Sequence, residues 1–453
     1  MTLVDALRAI VGDAHAFDDP ERMATYSTDW TGRWSGTPRA VVRPRSTDEI
    51  VEILGLCRAR RSAIVPQGGN TGLVGGSVPR NGEVVLSLVR MNLLSEVDAD
   101  SAQVTAGAGV TLEALQAHAR SSGLDFAVDL GARSSATVGG LIATNAGGLR
   151  AWRHGSMRAQ VLGVEAVLAD GSVISRLFGL RKDNTGYDLA GLLCGSEGTL
   201  GIVTRARLSL IDRLDNTLVA LVGLDDLEAA LTAFGVLKAE LDSLTAVELM
   251  LARGIEAVCA HTGRRAPFES SREAYLLIEC AGRRSNQEEL LEALGRLDTD
   301  DVIVALDVTE QRRMWEYREG HTEAVNALCP APSAPHKLDI TVPLGGVVDF
   351  VGRVEARVAR LAPDATLVVY GHLGDGNLHV NVAGPPPDDH SVDDAILDLV
   401  IEAGGSISAE HGIGVYKRGH LGRDRTPGDI AAMRAIKRSL DPDDLLNPGV
   451  LFD

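Results

Sequence analysis

The run Gly371-His372-Leu373-Gly374-Asp375-Gly376-Asn377-Leu378-His379-Val380-Asn381 sets two imidazoles on either side of an Asp-Gly pair. Asp-Gly favours a two-residue hairpin turn, because that turn needs positive φ at both central positions. The reading predicts a tight turn at Asp375-Gly376 with His372 directly opposite His379. Facing residues hold their Cβ atoms roughly 4.5–5.5 Å apart, which suits two rings converging on one cation with bonds of about 2.0–2.1 Å. Asn381 falls on the same face, two residues beyond His379. Further on, Ser408-Ala409-Glu410-His411-Gly412-Ile413-Gly414 adds a carboxylate, another imidazole and two glycines. Two histidines and a carboxylate leave open positions on a divalent metal, as catalytic sites do. Such a set would also suit a metal-dependent hydrolase, and the plainest alternative is a hairpin with two surface histidines. Neighbours on a regular strand face opposite ways, so Glu410 and His411 enter one site only where the chain is irregular, which Gly412 and Gly414 permit.

A second chemistry is carried by glycine. Pro66-Gln67-Gly68-Gly69-Asn70-Thr71-Gly72-Leu73-Val74-Gly75-Gly76-Ser77 directly follows the apolar run Ala63-Ile64-Val65. Glycine at this density exposes backbone N–H groups and lets a loop wrap a diphosphate. The stretch from Gly131 through Ser134, Thr137, Gly139 and Gly140 to Asn145-Ala146-Gly147-Gly148 has the same character, as does Gly195-Ser196-Glu197-Gly198-Thr199-Leu200-Gly201-Ile202. Three such loops suggest a large, extended nucleotide. A nicotinamide-binding unit fits badly, since Gly107-Ala108-Gly109 lacks the third glycine and Gly69, Gly72 and Gly75 are wrongly spaced.

The elements that must position these groups divide the chain near residue 214. Before it, glycine-rich loops interrupt short β-branched runs such as Ala40-Val41-Val42 and Val84-Val85-Leu86. After it, strand and helix patterns alternate: strands at 218–224, 274–280 and 302–308, helices at 227–237, 288–297 and from Gln311. A last helix starts at Thr426-Pro427 and stops before Asp441-Pro442. Expected domains are 1–213, 214–398 and 399–453, consistent with about two to four domains for this length.

Composition narrows the function classes. The balance of 44 basic against 62 acidic residues, a net charge of −18, argues against a broad grip on nucleic acid or anionic lipid. The five cysteines show no CxxC spacing and read as reduced structural thiols, which argues against an iron-sulfur cluster. The acidic stretch from Met1 to Asp19 reads as a short helix and not as a targeting peptide, and no apolar run is long enough to span a bilayer. A cytoplasmic enzyme is expected, with a homodimer left open.

PQGGNTGLVGGSVP (66–79), VGGLIATNAGGLR (138–150), RKDNTGYDL (181–189) and GSEGTLGIV (195–203) resemble the FAD-binding domain of the vanillyl-alcohol oxidase and p-cresol methylhydroxylase superfamily. HKLDITVP (336–343), GHLGDGNLHVN (371–381), SAEHGIG (408–414) and NPG (447–449) resemble its D-2-hydroxyacid dehydrogenase branch. The resemblance implies an α+β fold: an FAD-binding domain of the p-cresol methylhydroxylase type, an α/β substrate-binding cap, and a short C-terminal helical segment. It implies FAD and a divalent metal, zinc first and manganese second. It also implies oxidation of a D-2-hydroxy acid to the 2-oxo acid by hydride transfer to flavin N5.

Carried over residue by residue, the resemblance makes His372, His379 and Glu410 metal ligands and His411 the base. Arg318, Thr322, Lys337, Asn381 and His411 become substrate contacts. Arg318 and Thr322 lie one helical turn apart, so both can point from one face. FAD is assigned to Pro66, Gln67, Gly68, Gly69, Asn70, Thr71, Gly72, Gly75, Gly76, Ser77, Ser134, Thr137, Gly139, Gly140, Asn145, Gly147, Gly148, Glu197, Gly198, Gly201, Ile202 and Asn447. Covalent members of the superfamily often carry a histidine in the first glycine loop; Gly68-Gly69-Asn70 has none, so noncovalent FAD is expected. His154 stands where relatives often have tyrosine and is read as a loop histidine. Arg318, Thr322 and Lys337 offer more than one carboxylate needs, which ranks D-2-hydroxyglutarate and then D-malate above D-lactate and glycolate. Without an iron-sulfur or nicotinamide motif, the electron acceptor is expected to be an electron-transfer flavoprotein or a quinone.

Overall fold

The computed structural model describes residues 1–282, 287–330 and 333–452, and the chain forms two compact units. The first unit comprises Met1–Gly147, His154–Arg213 and Glu410–Asp453, the second Gly148–Arg153 and Leu214–Ala409. Sequence places a cut at 398/399, but the helix Ser391–Glu402 runs through that point and its hydrogen-bond ladder keeps both sides together.

In the first unit, one four-stranded sheet joins Ala16–Phe17, Ala40–Val42, Val84–Ser87 and Ile64–Gln67 in that order, the last three parallel. Parallel neighbours need a crossover, here the helix Thr47–Ala59. Ser46 caps it by accepting from Glu49 N, and Ile50, Ile53, Leu54 and Cys57 recur at helical spacing to bury one face. Fully burying such side chains contributes about 1.5–3 kcal/mol each. A second, antiparallel sheet orders Gln103–Gly107, Ile202–Ser209, Val161–Val167 and Val173–Ser175. The helix Pro427–Leu440 begins as its sequence predicts, with a Thr426/Asp429 capping box and proline in the first turn. Beyond it, Leu446 pairs in parallel with Ile64, tying the carboxyl-terminal stretch to the first sheet.

The second unit is a seven-stranded antiparallel sheet in the order Val302–Ala305, Asn216–Leu224, Ala274–Gly282, Leu244–Leu251, Thr366–His372, Asn377–Ala383, His336–Thr341. Val302–Ala305 is shorter than its sequence pattern suggests, because Asp307 caps a helix that already starts at Val308. One sheet face, including Val219, Leu221, Met250, Tyr275, Leu277, Val368 and Tyr370, shares a core with Ile255, Met314 and Val325 of the helices Ala252–Thr262, Val308–Glu319 and His321–Ala327. Gly148–Arg153 belongs to this unit through Trp152, whose indole N–H donates to Thr245 O at 3.0 Å. Among the described residues no helix is long and apolar enough to cross a membrane, and all five cysteines are free.

Candidate active site

The histidine hairpin is wider than the tight turn expected. Leu373–Asp375 makes a 3-10 turn closed by Gly376 at φ +74, so His372 pairs with Asn377 and His379 with Tyr370. His372 is therefore not directly opposite His379. The cause lies outside the hairpin: Gly376 O accepts from Val342 N at 3.1 Å, and a Cβ on Gly376 would come within 2.2 Å of Val342 O. The offset is two residues, and an even offset keeps every side chain on its face. The two rings still meet, with centroids 5.2 Å apart and planes at 84°.

That face carries a polar strip across four adjacent strands. Glu248 is registered beside His372, Asp339 beside His379, and Lys337 beside Asn381. The helical arm adds Arg318, whose guanidinium lies 4.6 Å over the Tyr370 ring, and Thr322, whose Oγ1 is 3.4 Å from the Tyr370 hydroxyl. The helix divides at Gly320, which stays in the right-handed helical region, so Arg318 and Thr322 still reach the same ring. The strip thus gathers His372, His379, Arg318, Thr322, Lys337 and Asn381, six of the residues singled out by sequence. Asn381 is buried, and its Nδ2 donates to His379 O at 3.1 Å.

Both imidazoles turn Nδ1 toward a carboxylate. His372 Nδ1 is 2.7 Å from Glu248 Oε1, and His379 Nδ1 is 3.4 Å from Asp339 Oδ1. Burial pushes the His379 pKa below its ordinary value, outweighing the pull of Asp339, so the ring is neutral near pH 7. Burial also tends to raise Glu248, but His372 and the Arg318 guanidinium together hold it below the usual carboxylate range. A neutral imidazole whose Nδ1–H meets a carboxylate presents Nε2 as a lone pair, the form in which histidine binds metals. In that neutral form the two rings fit a divalent cation. Among the described residues no group of three His, Cys, Asp or Glu side chains completes a metal set, and Glu410 belongs to the first unit. The expected three-ligand clamp is thus not assembled within the second unit, whose nearby carboxylates Glu248 and Asp339 face the Nδ1 atoms.

Glu248, Asp339 and Tyr370 escape a reading by motif. Glu248 is a lone acid in a strand that is otherwise apolar but for Thr245, and that is the signal that could single it out, because a buried carboxylate requires a partner; Asp339 sits among His336, Lys337 and Thr341 and has no such signal. Tyr370 carries no local signal.

In the first unit the glycine loops interlock. A Cβ on Gly69 would lie 1.8 Å from Ser135 O, and one on Gly68 would lie 2.3 Å from Thr137 Oγ1. Asn70, at φ +54, donates to Thr28 O and accepts from Ser77 Oγ at 2.8 Å, while Gln67 Nε2 donates to Ser77 O at 3.0 Å. Thr137 caps the helix Val138–Thr144, and Asn145 ends it at φ +53. Several residues assigned to FAD by resemblance therefore hold one another. Ser134 is exposed, and Gly148 falls in the second unit. Gly69→Ala should cost about 1–3 kcal/mol through overpacking. Thermal melting should show this as a Tm lowered by several degrees, with weaker FAD retention; an unchanged melt would remove the interlock.

Glu197 ties these loops to the segment bearing His411. Its carboxylate accepts from Ile413 N and Gly414 N, both at 2.8 Å, and burial pushes its pKa up to about 7. Asn447 Nδ2 donates to Gly76 O and Glu197 O, each at 2.8 Å. Glu410 and His411 are half-buried on an irregular bend followed by Gly412 at φ +81.

Residues 38–176 match the model of an FAD binding domain, and residues 214–451 match that of FAD linked oxidases, C-terminal domain. Fold and matches together define the class: an FAD-linked oxidase. The chain is 38% identical over 456 residues to the mitochondrial D-2-hydroxyglutarate dehydrogenase of Arabidopsis thaliana, covering 98% of this chain and 80% of that one. It is 38% identical over 450 residues to the D-2-hydroxyglutarate dehydrogenase of Xanthomonas citri pv. viticola, covering 96% and 93%. The chain therefore belongs to the D-2-hydroxyglutarate dehydrogenase family and is an FAD-dependent dehydrogenase. The crystal structure of p-cresol methylhydroxylase shares the fold, with a TM-score of 0.78 at 15% identity over 99% of this chain and 95% of that one.

Proposed function

We propose that the protein oxidises a D-2-hydroxy acid, D-2-hydroxyglutarate before D-malate, to the 2-oxo acid. The observation that carries this reading is the polar strip of the second unit, where two imidazoles and an ammonium lie on one sheet face beside the Arg318 guanidinium of the helical arm. FAD, when bound, would supply the two-electron oxidant, accepting the α-hydrogen as hydride at N5, and a divalent cation, zinc first, would supply a Lewis acid for the hydroxyl. By the resemblance His372, His379 and Glu410 would hold the cation. His411, by the same resemblance, takes the hydroxyl proton. Arg318 orients a carboxylate with its planar fork, Lys337 adds a point charge, and Thr322 and Asn381 complete the hydrogen bonding. An electron-transfer flavoprotein or a quinone would take the electrons from the reduced flavin.

Anaerobic addition of D-2-hydroxyglutarate, D-malate, D-lactate and glycolate in turn tests the reading. The dicarboxylates should bleach the oxidised flavin; absence of bleaching by every D-2-hydroxy acid would leave a flavin-binding protein without this activity. FAD is held without a covalent link, since the first glycine loop has no histidine. Acid precipitation should release all the yellow colour into the supernatant, and colour retained in the pellet would refute noncovalent binding.

A further inference from the structure

Glu248 is the most deeply buried charge of the strip, with a side chain 0% exposed, yet it spends its two oxygens on different partners. Oε1 meets His372 Nδ1 and Oε2 accepts from Arg318 Nε, each at 2.7 Å. A carboxylate serving only as counter-ion to an arginine makes its best geometry bidentately, with two parallel N–H bonds. Here the pair is opened. Among the described residues the Arg318 side chain makes no hydrogen bond besides Nε to Glu248, so both terminal amino groups remain available to another anion. The Tyr370 ring, 4.6 Å beneath the guanidinium carbon, fixes the plane of the fork. His372 meets Glu248 through Nδ1, and in the neutral ring donation from Nδ1 leaves the lone pair on Nε2.

We infer that Glu248 is a positioning residue that locks two working groups at once: His372 in its Nδ1–H tautomer and the Arg318 fork with its amino edge outward. It touches neither reacting atoms nor cofactor. This inference rests on the proposed use of His372 for a cation and of Arg318 for a carboxylate. Its core claim, the tautomer, is independent of both. Asp339 does not substitute for it, because Asp339 faces His379 and accepts from Asn377 Nδ2 at 2.8 Å.

The experiment uses FAD-loaded protein stripped of divalent metal by a chelator and labelled with nitrogen-15 in histidine. In the wild type, imidazole shifts should report His372 protonated at Nδ1 and not at Nε2, the resonance being assigned with His372→Gln. In Glu248→Gln, one oxygen becomes an N–H donor that cannot accept from the ring. The His372 tautomer should then invert or become mixed, and zinc affinity by competition titration should fall about 10–100-fold, the usual effect of losing an outer partner of a metal-binding histidine. KM for D-2-hydroxyglutarate should rise in the same variant through the loosened Arg318. A wild-type His372 protonated at Nε2 would overturn the proposal without recourse to any variant, as would a folded Glu248→Gln protein with unchanged tautomer and zinc affinity within twofold. A wild type that binds no zinc but shows the Nδ1–H form would defeat the metal reading and leave Glu248 as the anchor of His372.

Discussion

A His379→Ala variant should lose the proposed divalent cation and turnover while keeping FAD. The ring is one of two imidazoles that fit a cation, and FAD is assigned to loops of the first unit, so the two losses should separate. Removing an outer partner of a metal ligand weakens binding about 10–100-fold, so deleting the ligand itself should exceed about 100-fold. Metal content after gel filtration, read beside the flavin absorbance, decides the matter. A folded His379→Ala protein that retains one cation per flavin would refute the role of His379. The neighbouring Tyr370 ring, 5.0 Å away, lines the cavity left behind, so loss of fold is not the expected outcome.

The second large effect is selectivity. In the proposed site the terminal amino groups of Arg318 take a second carboxylate of the substrate, and a substrate with only one would leave those buried donors unmatched. Leaving buried polar groups unpaired discriminates strongly, so kcat/KM should favour D-2-hydroxyglutarate over D-lactate by about a hundredfold or more. Arg318→Ala should erase most of that ratio with little change in flavin content. Equal efficiency on D-lactate would remove the dicarboxylate assignment and leave the flavin chemistry intact. Burial lowers the Lys337 pKa to about 8. Lysine is charged below its pKa, so the attraction proposed here for the substrate should be present at neutral pH and lost as pH rises through about 8. The alkaline limb of kcat/KM reports the free enzyme and should bend there for the dicarboxylate. In Lys337→Arg, whose guanidinium stays charged, the bend should move upward.

Some of this molecule is written locally. Glycine density in the 66–77, 131–148 and 195–202 stretches marks loops whose backbones approach other groups, and Gly68 and Gly69 do so, although their nearest neighbours are the 135–137 backbone and the Thr137 hydroxyl. Thr426-Pro427 starts a helix because capping and fixed φ are properties of the residues themselves. The hairpin shows the boundary between local and distant causes. That His372 and His379 share a face follows from strand alternation, which any even offset preserves. Which residues stand opposite each other depends on Gly376 meeting Val342, just past the end of a different strand.

By itself, then, the sequence determined the class of cofactor loop, the common face of the two histidines and the helical pairing of Arg318 with Thr322. Only the tertiary structure decided the hairpin register, the position of Tyr370 between the helical arm and the sheet, and the carboxylates that orient the rings. Glu248 reaches His372 across 124 residues of chain. Contacts of that separation arise from the order of strands in a sheet, and the order is set by which apolar faces can be buried together, a property of the whole chain and not of any window within it.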